Sequence, residues 1–166
     1  MRSFLNWARS LVYVVHGARA FRSKDYAGMI ECYSRAIELS PEDLDYYYKR
    51  GFAYIKTEQY GQAVADYTRI IELNPNEFMA FYTRGLINLQ RGFTTQAIAD
   101  LSRVIEFGEL TKVAYCARAE CYLALNDREG ALADLEEVLV REPHHRRALE
   151  LKRYCEIREE EDGATK

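Results

Sequence analysis

The chain repeats itself with a period of 34 residues. Tyr47-Tyr48-Lys49-Arg50-Gly51 aligns with Phe81-Tyr82-Thr83-Arg84-Gly85 and Tyr115-Cys116-Ala117-Arg118-Ala119 at that constant offset. Ala63-Val64-Ala65-Asp66-Tyr67 returns as Ala97-Ile98-Ala99-Asp100-Leu101 and again as Ala131-Leu132-Ala133-Asp134-Leu135. A fainter first copy ends in Ile37-Glu38-Leu39-Ser40-Pro41, against Ile71-Glu72-Leu73-Asn74-Pro75. A fixed period of this length predicts stacked helical hairpins, each covering the apolar face its neighbour leaves bare, rather than one globular core.

Counting from the first helix gives repeats at 10–43, 44–77, 78–111 and 112–145. Position 4 is aromatic in all of them: Tyr13, Tyr47, Phe81 and Tyr115. Position 8 is small (Gly17, Gly51, Gly85, Ala119), and position 20 is Met29, Ala63, Ala97 and Ala131. Small residues there let two antiparallel helices approach, while large ones at positions 4, 11 and 24 fill the space alongside. Pro41, Pro75 and Pro143 at position 32 cannot continue a helix, and they push the preceding residue out of helical geometry. On these residues the chain resembles the tetratricopeptide repeats, over 136 of its 166 residues. The resemblance implies an all-α, right-handed solenoid of four helix-turn-helix repeats. Residues 1–9 form a lead-in, 146–160 a capping helix and 161–166 a flexible acidic tail.

Three departures from the pattern stand out. Met29 replaces a small residue at position 20 where Ala20 replaces a large one at position 11, an exchange that conserves volume. Repeat three lacks its closing proline and has Phe107-Gly108-Glu109 instead, which predicts a different junction to repeat four. Asn88 is polar at position 11.

Position 7 is Arg50, Arg84 and Arg118, and position 23 is Asp66, Asp100 and Asp134; repeat one has His16 and Cys32 there. Both charges vanish together within one repeat. That predicts pairing inside each hairpin, with arginines lining a ligand groove as the alternative.

Aliphatic, aromatic and Cys residues make up 48% of the chain, enough for a folded array, and the net charge of −3 does not point to nucleic acid. No apolar run is long enough for a membrane span. Cys32, Cys116, Cys121 and Cys155 form no close pair, and His144-His145 has no ligand motif beside it. These cysteines read as small apolar fillers in a reducing, cytoplasmic compartment. No phosphate loop, nucleophile elbow or carboxylate pair is present, so the expectation is a non-enzyme without cofactor or metal. The first 24 residues carry Arg2, Arg9, Arg19, Arg22 and Lys24 and no acid. They read as the first helix of repeat one, with a presequence or a membrane-surface helix as the rival.

The resemblance also implies a concave groove lined by positions 2, 5, 9 and 12 of each first helix. The residues expected to bind there are Val14, Phe21, Tyr48, Phe52, Ile55, Met79, Tyr82, Leu86, Leu89 and Cys116, with Leu11 and Val113 at position 2 in the same stripe. A second apolar side on these helices serves either packing or a partner. One subset of the family clamps acidic chaperone tails with Lys, Asn and Arg. At the corresponding places this chain has Val14, Ala18, Lys49, Met79 and Thr83, or, one repeat later, Tyr48, Phe52, Thr83, Val113 and Ala117. Neither set makes the clamp. The expected activity is therefore a scaffold holding an apolar peptide or amphipathic helix. A secretion-type chaperone for apolar client segments, or an assembly protein that self-associates through groove or open end, are the alternatives.

Overall fold

In the computed structural model the backbone is described for residues 2–164 and side-chain burial for residues 5–157. The helices are α1 (Arg2–Arg22), α2 (Tyr26–Leu39), α3 (Leu44–Lys56), α4 (Tyr60–Leu73), α5 (Phe78–Gln90), α6 (Thr94–Glu106), α7 (Thr111–Ala124), α8 (Arg128–Arg141) and α9 (Arg146–Ala164). No strand occurs among the described residues. The chain divides into an N-terminal body, Met1–Ala80, and a C-terminal body, Phe81–Lys166. In the first, α1 packs on α2, α2 on α3 and α3 on α4; in the second, α6 packs on α7, α7 on α8, and α9 on both α7 and α8. The fold is thus all-α, built of stacked hairpins within each body. Helix α1 begins at Arg2, so the lead-in continues the first repeat helix backwards. Helix α9 runs past residue 160 to Ala164, and the end of the expected tail, 165–166, lies outside the described residues.

One turn is used inside every hairpin. Position 15 (Lys24, Glu58, Gly92, Asn126) takes a left-handed conformation with φ of 58°, 58°, 78° and 58°. The amide of position 16 then donates back to the carbonyl of position 11: Asp25 to Ala20 at 2.9 Å, and Gln59 to Tyr54, Phe93 to Asn88 and Asp127 to Tyr122 at 2.8 Å each. This is the Schellman closure, which satisfies a carbonyl the helix end leaves free. Asp25 and Asp127 also cap the second helix, accepting from the amides of Gly28 and Gly130 at 2.9 Å.

The spacing argument is visible in the packing. Ala63, Ala97 and Ala131 at position 20 are fully buried, as are Ala36, Ile70, Val104 and Val138 at position 27. A Cβ placed on Gly85 would lie 3.5 Å from the carbonyl oxygen of Ala97, which is the close approach that positions 8 and 20 allow. Met29 is buried among Tyr33, Ala36, Tyr46 and the flanking Ala20, so the larger side chain takes the space the small one vacates. Tyr47 donates to the carbonyl of Pro41 at 3.0 Å, tying an aromatic position 4 to the preceding repeat's loop. Repeat three closes differently: Gly108 (φ 76°) and Leu110 (φ 47°) are both left-handed, and Leu110 precedes α7 without a side-chain cap.

Positions 3 and 10 face the preceding repeat. Tyr46 and Ala53 on α3, and Ala114 and Cys121 on α7, are buried there. Helix α9 continues the register with Ala148 and Cys155, also buried. It carries the exposed Arg153 where the repeats have Gly or Ala. It packs on α7 and α8 in the position of a further first helix.

Candidate functional site

The repeated charges pair as the sequence predicts. Arg50 donates to Asp66 through Nε (2.9 Å) and Nη2 (2.6 Å), Arg84 to Asp100 at 2.9 and 2.7 Å, and Arg118 to Asp134 at 2.8 and 2.6 Å. All three aspartates are buried. Arg50 is flanked by Tyr47 and Tyr54 at 5.8 Å each, and Arg118 by Tyr115 and Tyr122 at 5.6 and 5.8 Å. The guanidiniums are held inside the hairpins, not displayed in a groove. Burial pushes the Asp66 carboxyl up while the bonds from Arg50 oppose that, and the same bonds hold Arg50 more firmly charged. The sequence reading missed a third contact. Nη1 of Arg50 donates to Ser34 Oγ at 3.1 Å, and Nη1 of Arg118 to Ser102 Oγ at 2.8 Å. Both hydroxyls stand at position 25 of the preceding repeat. Their recurrence, with Thr68 between, was the available signal.

The groove residues behave differently in the two bodies. In the N-terminal body, Phe52 is half-buried, with Phe21 at 5.8 Å and Tyr26 at 6.2 Å, both edge-on, and Lys56 Nζ 5.3 Å from the ring centroid. Phe21 remains largely exposed. Val14 and Ile55 are half-buried, Val14 against the first core. Tyr48 is half-buried and packs edge-on to Tyr67 at 5.8 Å. Its hydroxyl is enclosed without a well-formed hydrogen bond, and burial and then the Glu77 carboxylate push the phenol upward. Met79 is exposed.

In the C-terminal body, Leu86 is exposed, Tyr82 and Leu89 are half-buried, and burial followed by Glu120 raises the Tyr82 phenol. Cys116 corrects the sequence reading. It is 5% exposed, closed over with its Sγ 4.0 Å from His145 Nδ1, and offers almost no surface. The surface next to it is polar. An open depression of about 410 Å³ lies between α7 and α9, lined by Glu120, Leu123, Arg147, Glu150, Leu151 and Tyr154. Arg147 pairs with Glu120 at 2.8 Å and with Glu150 at 3.5 Å. Arg147, Glu150 and Tyr154 are positions 2, 5 and 9 of the register carried one repeat further, so extending the count past His145 would have found them.

Among the described residues no group of His, Cys, Asp or Glu is placed to hold a metal ion, and no helix is long and apolar enough to cross a membrane.

Tetratricopeptide-repeat family models match residues 17–77, 48–109 and 113–145. The chain belongs to the tetratricopeptide-repeat family, as its hairpins, turns and spacing require. No curated protein matches it in sequence. Among solved structures, residues 41 to the end of MamA from Desulfovibrio magneticus RS-1 align with TM-score 0.83 at 18% identity, over 91% of this chain and 85% of that one. YrrB, described as a TPR protein with an unusual peptide-binding site, gives TM-score 0.77 at 24% identity, over 87% and 74%. The first TPR of Spaghetti (RPAP3), bound to the HSP90 peptide SRMEEVD, gives 0.66 at 22%, over 72% and 95%. At these identities the likeness is one of fold.

Proposed function

We propose that this chain is a non-catalytic protein-interaction scaffold whose first-helix faces hold an apolar peptide or an amphipathic helix. One observation carries the reading: position 2 is a large apolar residue in three repeats, Leu11, Met79 and Val113, and all three are exposed. Side chains needed only for hairpin packing would be buried, as those at positions 20 and 27 are. Phe21 at position 12 in the N-terminal body and Leu86 at position 9 in the C-terminal body are exposed as well. Peptide-bound relatives support a peptide as the ligand class, and the missing Lys, Asn and Arg clamp directs the preference away from acidic tails. The Glu120–Arg147–Glu150 cluster gives the C-terminal body a polar end to such a site, suited to fixing the register of a bound segment. Four free thiols suit a reducing, cytoplasmic setting.

The test is selection of peptides from a displayed random library on the intact chain, repeated on a Met79→Asp, Leu86→Asp variant. Recovery of apolar, helix-periodic peptides by the parent and their loss from the variant supports the reading. Acidic peptides, or enrichment unaffected by the two substitutions, would refute it. Exposed residues are the right probes because Phe52 supports Phe21 and Tyr26, so its truncation would report stability as well as binding.

A further inference from the structure

Helix α1 differs from every other first helix in what it leaves uncovered. Val12 at position 3 is 58% exposed and Val15 at position 6 is 67% exposed, whereas Ala114 and Ala148, the position-3 residues of α7 and α9, are fully buried. Leu5, Trp7, Leu11 and Phe21 are exposed on the same helix. At roughly 100° per residue the apolar surface from Leu5 round to Phe21 spans about 200° of the helix. The seam one neighbouring helix covers is narrower, roughly a 100° stripe.

The charges narrow the choice of occupant. Arg19 stands at position 10, exposed, where α3, α7 and α9 bury Ala53, Cys121 and Cys155. A further hairpin or a second copy stacked in the usual register would enclose that guanidinium with no carboxylate on α1 to meet it, a costly burial. Arg9 and Arg22 are also exposed, and the first 24 residues contain five basic side chains and no acid, although the whole chain is net −3. The first 24 residues are therefore basic and the remainder of the chain is acidic. A broad apolar face with arginines at its edge and C-terminal end is the form that lies in a bilayer interface, apolar side chains among the acyl chains and guanidiniums on the phosphates.

We propose that α1 docks this protein onto the surface of an anionic lipid bilayer, separately from the peptide-holding faces. The charge polarity orients it: α1 is drawn toward the surface while the acidic remainder is held off.

The chain supplies its own reporter, because Trp7 is the only tryptophan and lies on α1. The experiment is flotation of the intact chain with phosphatidylglycerol vesicles or with phosphatidylcholine vesicles, with Trp7 emission recorded in parallel. The expected result is binding to phosphatidylglycerol alone, weakened by salt, with Trp7 emission moving to the blue. Arg19→Gln with Arg22→Gln should lower the partition by roughly fivefold per arginine. Val12→Asp with Val15→Asp should abolish it; both positions are exposed, and a circular dichroism melt checks the fold. If that variant does not fold, the arginine pair decides. No binding to phosphatidylglycerol overturns the proposal, as does binding that leaves Trp7 emission unmoved. A concentration-dependent mass without lipid, abolished by Val12→Asp with Val15→Asp, would assign the face to a second copy instead.

Discussion

Replacing Arg50 by methionine tests the ion-pair column most directly. The substitution keeps much of the aliphatic stem between Tyr47 and Tyr54 but removes both hydrogen bonds to Asp66 and the bond to Ser34. Asp66 is 3% exposed, so its carboxylate is left buried without a counter-ion. Breaking a buried pair from one side costs about 3–5 kcal/mol. An independent ceiling comes from protonation. The orphaned carboxyl can take up a proton, and doing so near pH 7 from the ordinary aspartate pKa of 3.8 costs roughly 4 kcal/mol at about 1.4 kcal/mol per pH unit. The two figures agree. For a chain of this length the loss corresponds to a fall in Tm of about 6–20 °C.

The sign with pH follows. In the variant the folded-state pKa of Asp66 is raised above its unfolded value. The penalty is therefore fully present above the folded pKa and disappears as pH falls toward the unfolded one. Urea denaturation followed by circular dichroism should show the gap to the parent closing by up to about 1.4 kcal/mol per unit between about pH 7 and pH 5. Adding Asp66→Leu to Arg50→Met removes the orphan, and the double variant should return to within about 2 kcal/mol of the parent. A loss under about 1 kcal/mol for Arg50→Met, or one that does not change with pH, would refute the view that this pair is a buried, mutually dependent charge couple.

Gly17→Ala should destabilise by about 1–3 kcal/mol, because the new Cβ would lie 2.7 Å from the Tyr33 ring; Gly85→Ala, 3.2 Å from Leu101, should stay within about 1 kcal/mol, as Ala119 beside Leu135 already shows the pairing to be tolerated. Equal losses in thermal melts would contradict the packing argument. Glu58→Gly should raise stability by about 0.5–1 kcal/mol in the same melts, since Glu58 is held at φ 58° without the freedom of glycine; a loss would mean its side chain contributes more than the turn strains. With an aromatic disulfide reagent at mildly alkaline pH, half-buried Cys32 should react well before Cys116, Cys121 and Cys155, because burial raises all four thiols and lifts Cys121 to about 11. Uniform labelling rates would show the interior to be open.

What the sequence made legible is what recurs locally. The small residues at positions 8 and 20, the aromatic at position 4 and the proline at position 32 act within one hairpin or across one loop, so the spacing alone implies their contacts. The Arg–Asp column was readable because both members disappear together in repeat one, which favours pairing inside a hairpin over pairing between neighbours. The Ser34 and Ser102 contacts were not readable in the same way, since a hydroxyl on a helix is ordinary until a guanidinium is seen to reach it. Cys116 was misplaced because register fixes the direction of a side chain but not what closes over it, here His145 from the following turn. Arg147 and Glu150 were passed over because the terminal helix has too many charges to look like a repeat, although it keeps the repeat's phase. Phe52 was assigned to the groove, where an aromatic side chain also packs against Phe21 and Tyr26; sequence cannot apportion one ring between the two uses.

The third bond of Arg50 and of Arg118 has a direction. Arg50 reaches back to Ser34 and Arg118 back to Ser102, while each finds its aspartate 16 residues ahead, in its own hairpin. As the chain leaves the ribosome from its N-terminus, the hydroxyl that an arginine needs has therefore already been made, and the carboxylate arrives one helix later. A hairpin can complete its charge network as soon as its own second helix emerges, without waiting for anything downstream. Removing whole repeats from the C-terminus leaves the Arg50 network intact, whereas removing repeat one takes Ser34 from Arg50. Each arginine network is thus completed in the order in which the chain is made, whatever further repeats the apolar faces need before they are covered.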